Sequence, residues 1–361
     1  MSTSIIIGKI INKFCRVFSL GGTALPGLVI LKINSDFINQ LVKTNQLKSI
    51  IITGTNGKTT TCRLIGEIFK THRINFIHNR SGSNLMRGIA SSLINQSDVF
   101  GHLKEKFAIW EIDEAAVKEA VKQLKPEIIL FNNLSRDQLD RYGEVDSILK
   151  LWQESLQLLP KTSQVLINQA DARLKTLSFP RIVYFGQPLS PGQYHQYNLE
   201  AAKTVANVLR LDPQLTTQGL TRFRPAFGRG EELVLNDKPI KIFLVKNPAG
   251  FNAIWQMLQD QNQLNKRLLI ILNDLIADGT DVSWIWDIDF NYLNSRKTPI
   301  TVSGTRALDM ALRLKYAGLN PHLIQLEPNI KKALSYSPDY ILPTYTAMLK
   351  LRQIIFKQKF D

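Results

Sequence analysis

The residues best equipped for chemistry form one uninterrupted run: Thr53, Gly54, Thr55, Asn56, Gly57, Lys58, Thr59 and Thr60. Ile51 and Ile52 precede it and a helical pattern over 61–70 follows, so a buried strand turns through two glycines into a helix. That arrangement is a cradle for phosphate. Glycines let backbone N–H groups approach the oxygens, the helix N-terminus adds its positive dipole, Lys58 reaches the β and γ phosphates, and the Thr59 hydroxyl suits Mg²⁺. An incidental GKT in a glycine turn would lack this strand, turn and helix setting. Ile52 stands where the common GxxxxGK[ST] loop has its first glycine, so TGTNGKTT is a shorter variant.

Two acidic runs accompany the loop. Glu111, Ile112, Asp113 and Glu114 close an apolar strand; alone, acids at a strand end are usually solvated loop groups. DGTDVSWIWD (278–287) follows the strand pattern 267–272, and ligands of parallel sheets bind outside the carboxyl ends of strands. Taken alone, this run reads as a structural turn in which Asp caps backbone N–H groups and the tryptophans pack. The five histidines have no ligand spacing, and His195 reads as a structural or substrate-edge residue. Cys15 and Cys62, the two cysteines, allow no CxxC pair and no disulfide framework, which fits a reducing compartment and the cytoplasm.

The elements that position these groups alternate. Strand patterns at 49–53, 107–112, 127–131, 164–168 and 181–185 are separated by helical stretches, which implies parallel strands with crossover helices. After the helical pattern 198–211, FRPAFGRG (223–230) reads as an interdomain linker. A second series follows, with strands at 241–246, 267–272, 299–302, 322–326 and 339–342 and helices at 305–316 and 344–357. The expectation is two α/β domains, 1–222 with a basic N-terminal segment 1–46, and 223–361. Composition agrees: 361 residues, 44% hydrophobic and 21% charged, describe a folded globular chain and exclude wholesale disorder, collagen-like and coiled-coil classes.

Forty-five Lys and Arg against thirty Asp and Glu leave a net charge of +15, which favours polyanionic partners. Up to residue 50, Lys9, Lys13, Arg16, Lys32, Lys43 and Lys48 face Asp36 alone. The apolar run 5–20 is interrupted by three of these cations, with Ile6, Ile10, Phe14, Val17 and Phe18 at helical spacing. It reads as an amphipathic helix packed on its own domain, ahead of membrane-surface docking, and no run reaches the roughly 20 apolar residues that span a bilayer.

The TGTNGKTT variant is similar to the phosphate loops of Mur ligases and folylpolyglutamate synthases. Those ligases turn a carboxylate into an acyl phosphate that a nitrogen nucleophile displaces, and they need two Mg²⁺ sites and a carboxylate beyond the loop. NNLSRDQLD (132–140) resembles the Mur ligase TNxxxDHxD segment, with Gln138 in place of the metal-ligand histidine. GGTALPG (21–27), NRSGSNLMRG (79–88), RDQLDRYGE (136–144), VKNPAGF (245–251), DGTDVSWIWD, SGTRALDMALRLKYAG (303–318) and LPTYTA (342–347) narrow the match. Across nearly the whole chain they resemble the MurT family, the Mur-ligase-like subunits of lipid II isoglutaminyl synthases.

The resemblance implies a P-loop Mur ligase central domain followed by a Rossmann-like α/β domain, using ATP and Mg²⁺. It implies a heterodimer with a GatD-type glutaminase subunit, whose ammonia amidates the D-glutamate α-carboxylate of the lipid II stem peptide at the inner face of the cytoplasmic membrane. Carried over residue by residue, it assigns Gly54 to Thr60, Asn133 and Arg229 to the nucleotide. Thr59 and Glu114 go to magnesium, with Glu111 as a rival. Asp278, with Asp281 and Asp274 as alternatives, orients the histidine of the partner's Cys-His pair.

Two departures stand out. The family's four-cysteine zinc ribbon is missing, because Phe185 runs through GQPLSPGQ (186–193) directly into YHQYN (194–198), so a clean deletion and no zinc site are expected. NQAD (168–171) also replaces the usual NADD, which leaves Asp171 without an assigned adenosine contact. The nearest rival is an amino-acid-adding Mur or folylpolyglutamate ligase, against which VKNPAGF and DGTDVSWIWD argue. A nucleic-acid-binding ATPase is disfavoured because no aromatic-interleaved basic patch or recognition helix is present, and a non-catalytic scaffold is the third reading.

Overall fold

The structure is a computed structural model that describes residues 2–17, 24–79, 84–135, 145–187, 194–223, 229–235 and 238–356. RDQLDRYGE with its Gln138, most of FRPAFGRG, the junction 188–193, and the side chains of His195 and Arg229 lie outside the described residues.

In chain order the first half runs α1 (Ser2–Val17), α2 (Leu25–Ile33), α3 (Phe37–Asn45), β1 (Lys48–Thr53), α4 (Lys58–Thr71), β2 (Phe76–His78), α5 (Met86–Gln96), β3 (Phe107–Glu111), α6 (Val117–Leu124), β4 (Ile128–Phe131), α7 (Val145–Leu156), β5 (Gln164–Asn168), β6 (Ile182–Phe185), α8 (Tyr194–Val208) and α9 (Pro213–Thr221). The second half runs β7 (Arg229–Leu235), β8 (Lys238–Phe243), α10 (Pro248–Asp260), β9 (Leu268–Ile271), β10 (Ile300–Ser303), α11 (Ala307–Tyr316), β11 (Ile324–Leu326), α12 (Ile330–Ala333), β12 (Tyr340–Pro343) and α13 (Tyr345–Phe356).

The first sheet has the order β2-β3-β1-β4-β5-β6 and is parallel throughout. Its centre, β1, is apolar on both faces because helices cover both. Ile51 joins Trp110, Ile129 and Val165 under α5, α6 and α7, while Ile50 and Ile52 join Ile109, Leu130 and Leu166 under α4 and α8. Each fully buried isoleucine of this kind contributes about 1.5–3 kcal/mol. The chain leaves β1 toward β2 and β3 on one side and returns to β4 on the other, so the strand order reverses at the carboxyl end of β1. A crevice opens at such a switch point, and the TGTNGKTT loop follows β1 there.

The second sheet, β11-β10-β9-β12-β8-β7, is parallel except for the antiparallel edge pair β7 and β8. Here the structure departs from the sequence reading. The stretch read wholly as a linker ends in strand, since Arg229 and Gly230 open β7, and β8 starts earlier than expected because it pairs with that edge. The first part of the expected strand 322–326 is a 3-10 turn at Pro321–Leu323, which the proline favours over a ladder position. The N-terminal helix starts at Ser2, earlier than expected.

Candidate phosphate-binding site

Gly54 and Gly57 set the shape of the loop. Gly57 has φ +85°, and a Cβ there would stand 2.2 Å from Asn198 Oδ1; Gly54 has φ +129°, with Asn133 O at 2.8 Å from a Cβ. Both positions therefore require glycine for conformation and for space. Asn133 holds the loop between them: its Oδ1 accepts from Asn56 N at 2.8 Å and its Nδ2 donates to Asn56 O at 3.0 Å. Thr55 is tied to the same strand end, since its N–H donates to Asn133 O at 3.1 Å and its hydroxyl donates to Ser135 O at 3.0 Å. Asn133 is thus a brace for the loop, with both ends of its amide already in use. Asn132 reaches Thr61 Oγ1, to which Asn198 of α8 is also bonded.

Lys58 and Thr59 open α4 directly after Gly57, at the positive end of the helix dipole. Lys58 Nζ donates to Gly54 O at 2.6 Å and to Glu114 Oε1 at 2.9 Å, and both charged groups are buried. Thr59 Oγ1 donates to Glu111 Oε1 at 2.9 Å, and Thr60 is buried beside it in the first turn. The two acids of the EIDE run therefore divide the loop: Glu111 faces the threonine and Glu114 the lysine. Glu114 is held from behind, where its backbone carbonyl accepts from Trp152 Nε1 at 3.0 Å. Glu111 is held by Asn79, whose amide donates to Glu111 O at 2.9 Å and accepts from Glu111 N at 3.0 Å.

Behind Thr59, single donor atoms of Cys62, His78 and Glu111 lie within 4.8 Å of one another. This thiol, imidazole and carboxylate set could itself hold a metal ion, which the sequence reading did not see because His78 comes from the short β2. The hydroxyl and carboxylate oxygens of Thr59, Glu111 and Glu114 are hard donors of the kind Mg²⁺ takes.

The second domain reaches the loop through VKNPAGF. Asn247 is fully buried and caps α10, accepting from Gly250 N at 2.7 Å, while its Nδ2 donates to Asn56 Oδ1 at 3.3 Å. Pro248 in the first helical turn supports this start. Asp171 accepts from Leu134 N at 2.7 Å and so braces the strand end beyond Asn133. Arg229 lies in β7 opposite Phe243.

The three aspartates of the second acidic loop differ in setting. Asp278 is buried and caps α13 from outside the helix: Oδ1 accepts from Thr346 N at 2.7 Å, and Oδ2 accepts from the Thr346 hydroxyl and from Leu275 N. Asp274, half-buried, accepts from Thr305 Oγ1 at 2.9 Å and lies 3.7 Å from Arg306 Nε. Asp281 is exposed and caps the following turn through Ser283 N at 2.8 Å. Leu275 and Ile276, in the same loop, are exposed, Ile276 to 93%.

Comparison with known proteins finds two family matches along the chain. Residues 52–208 match the Mur ligase middle domain and residues 244–348 the MurT ligase C-terminal domain. The chain is 31% identical to "Lipid II isoglutaminyl synthase (glutamine-hydrolyzing) subunit MurT" of Staphylococcus aureus strain COL, covering 96% of this chain and 95% of that one. The protein of the same name from Streptococcus pneumoniae R6 is 27% identical, with 92% of each chain covered. The S. aureus alignment runs over 428 positions, so that relative carries segments without counterparts here. Among solved structures, MurF from Acinetobacter baumannii superposes with a TM-score of 0.69 at 18% identity, covering 93% of this chain and 80% of that one. Folylpolyglutamate synthase from Mycobacterium tuberculosis superposes with a TM-score of 0.59 at 14% identity, covering 90% and 95%.

Proposed function

The chain belongs to the MurT family of lipid II isoglutaminyl synthase subunits, and from that membership we propose how its residues carry out an ATP-dependent amidation. The substrate is the α-carboxylate of D-glutamate in the lipid II stem peptide and the product is D-isoglutamine. Carboxylate oxygen attacks the γ-phosphate of ATP and ADP leaves. Ammonia then attacks the acyl carbon, inorganic phosphate departs, and an amide remains.

The convergence of Lys58, Thr59, Glu111 and Glu114 at the sheet's switch point carries this reading. The α4 N-terminus and Lys58 hold the phosphates and offset charge that builds on the transferring group. Thr59 with Glu111 and Glu114 would hold Mg²⁺, which when bound neutralises phosphate charge. Asn133 and Asn247 keep Asn56 in register, one from each domain, so the loop and the second domain act on the nucleotide together.

Ammonia comes from a GatD-type glutaminase subunit docked on the second domain. Support for that surface comes from exposed apolar side chains of the second domain: Leu275 and Ile276 beside the aspartates, and the ring pair Trp286 and Tyr316, with centroids 5.9 Å apart. Asp278 braces the loop through α13, and one carboxylate of this loop orients the partner's histidine. No helix among the described residues is long and apolar enough to cross a membrane, and we place the complex in the cytoplasm at the inner membrane face, where lipid II is presented. The test is phosphate release by the purified complex. It should require lipid II, ATP and either glutamine or ammonium together; turnover indifferent to lipid II would overturn the assignment.

A further inference from the structure

We propose that α1 and α2 together form a docking face for an anionic phospholipid bilayer. This contact rests on the lipid-substrate reading only for its purpose; its physical basis lies in the two helices.

Each helix is two-faced. On α1, Ile5, Gly8 and Cys15 are buried against the domain: a Cβ on Gly8 would stand 2.8 Å from Ile94 Cδ1, and Asn12 donates to Asn95 Oδ1 at 2.6 Å. With that side anchored, Ile6, Ile10 and Phe14 recur every four residues on the other, exposed to 46%, 63% and 55%. The spacing is one row along a helix. α2 also has a buried and an exposed side. Pro26, Gly27 and Ile30 are buried, with Gly27 N donating to Ser91 Oγ at 2.9 Å, while Leu25, Leu28 and Ile33 are exposed. Ile6, Ile10, Leu25, Leu28 and Ile33 stand in water on two adjoining helices with Phe14 more than half exposed beside them, a run of apolar surface that calls for an occupant.

Charge selects which occupant. Lys13 and Lys32 are exposed next to these apolar rows, Lys9 is half-buried, and neither helix carries an acid in its first turn. Asp36 is the one acid before residue 50. An apolar row flanked by lysines lies in the plane of an interface, with side chains in the acyl boundary and ammonium groups among the phosphates. Surface potential from anionic lipid adds about 1 kcal/mol per lysine, roughly fivefold in partitioning.

The experiment is flotation of the full chain with vesicles of phosphatidylglycerol and phosphatidylcholine, and with phosphatidylcholine alone. The chain should float with the anionic vesicles and far less with the neutral ones, and salt should weaken the preference. Ile10→Asp with Phe14→Asp should lower partitioning by about tenfold or more, since it removes apolar burial and adds like charge. Lys13→Glu with Lys32→Glu should erase the preference for anionic vesicles. Thermal melts of all variants should match the parent chain, because these positions lie on the outer faces. Failure of the parent chain to float at low salt would overturn the proposal. So would flotation of the aspartate variant at the parent's level, or loss of glutaminase binding in that variant with flotation unchanged, which would make the face a protein interface. Flotation without lipid II amidation would instead sink the enzymatic reading and leave the docking face standing.

Discussion

Lys58 Nζ lies 2.9 Å from Glu114 Oε1 in a pair buried at the mouth of the first sheet. Two acceptors, Gly54 O and Glu114 Oε1, fix Lys58 in place, and the neighbouring Thr59 hydroxyl is held by Glu111. Lys58→Ala should therefore have two separable effects. ATP turnover should fall by about 10²-fold or more, because a charge-assisted phosphate contact is gone. Stability should fall by about 3 kcal/mol, because Glu114 is left buried without its cation. Adding Glu114→Gln should restore much of the stability and none of the activity, read by thermal melts and phosphate release. A double variant that regains turnover would remove Lys58 from the chemistry.

Asn133 and Asn247 act on one residue, Asn56, from opposite domains. Asn133→Ala should raise the KM for ATP by up to about thirtyfold, since two bonds that shape the loop are lost at about 1 kcal/mol each. Asn247→Ala should cost about 1 kcal/mol of stability through the lost helix cap and lower kcat more than it raises KM. A steady-state comparison of the two variants checks the division. A lowered melting temperature in Asn247→Ala with kcat and KM both unchanged would mean that Asn247 is a cap only.

Much of this site was legible from local pattern. The β1 run, the two glycines and α4 are contiguous, and the apolar runs ending at Glu111 and Asn132 mark neighbouring strand ends that a parallel sheet brings to one edge. What was not legible depends on contacts distant in sequence. Asn79 clamps Glu111 across 32 residues and Asn247 meets Asn56 across 191, and an asparagine carries no local mark of such a duty. Asp278 is similar: before a glycine it reads as a turn, and its capping of α13 depends on Thr346, 68 residues on. Edge strand β7 was hidden because its pairing begins inside a glycine-bearing stretch.

Metal content separates two readings of the cysteines. With two cysteines the chain cannot build a four-cysteine ribbon, so purified protein should hold no stoichiometric zinc, and EDTA should leave its melting temperature unchanged. A structural zinc would contribute roughly 10 kcal/mol or more and be plain in the melt. One zinc per chain, lost on Cys62→Ser, would instead show that Cys62, His78 and Glu111 hold it.

The acidic loop yields the sharpest separation, because its carboxylates differ in what they already hold. Asp278 has both oxygens committed to the α13 cap, whereas Asp281 is exposed and Asp274 half-buried. Asp278→Asn should therefore lower stability by about 1–3 kcal/mol, as an amide cannot accept at both positions, and should weaken glutamine-driven amidation through the loop. Asp281→Asn or Asp274→Asn should leave the melt nearly unchanged, and whichever serves the partner's histidine should abolish glutamine use, since an amide neither accepts the imidazole N–H as a carboxylate does nor stabilises imidazolium. High ammonium should restore amidation in each of these variants and fail in Lys58→Ala, which lacks the phosphate contact with either nitrogen source. Loss with both glutamine and ammonium in an aspartate variant would move that residue into the ligase site. Full glutamine-driven activity in all three would place the orienting carboxylate outside this loop.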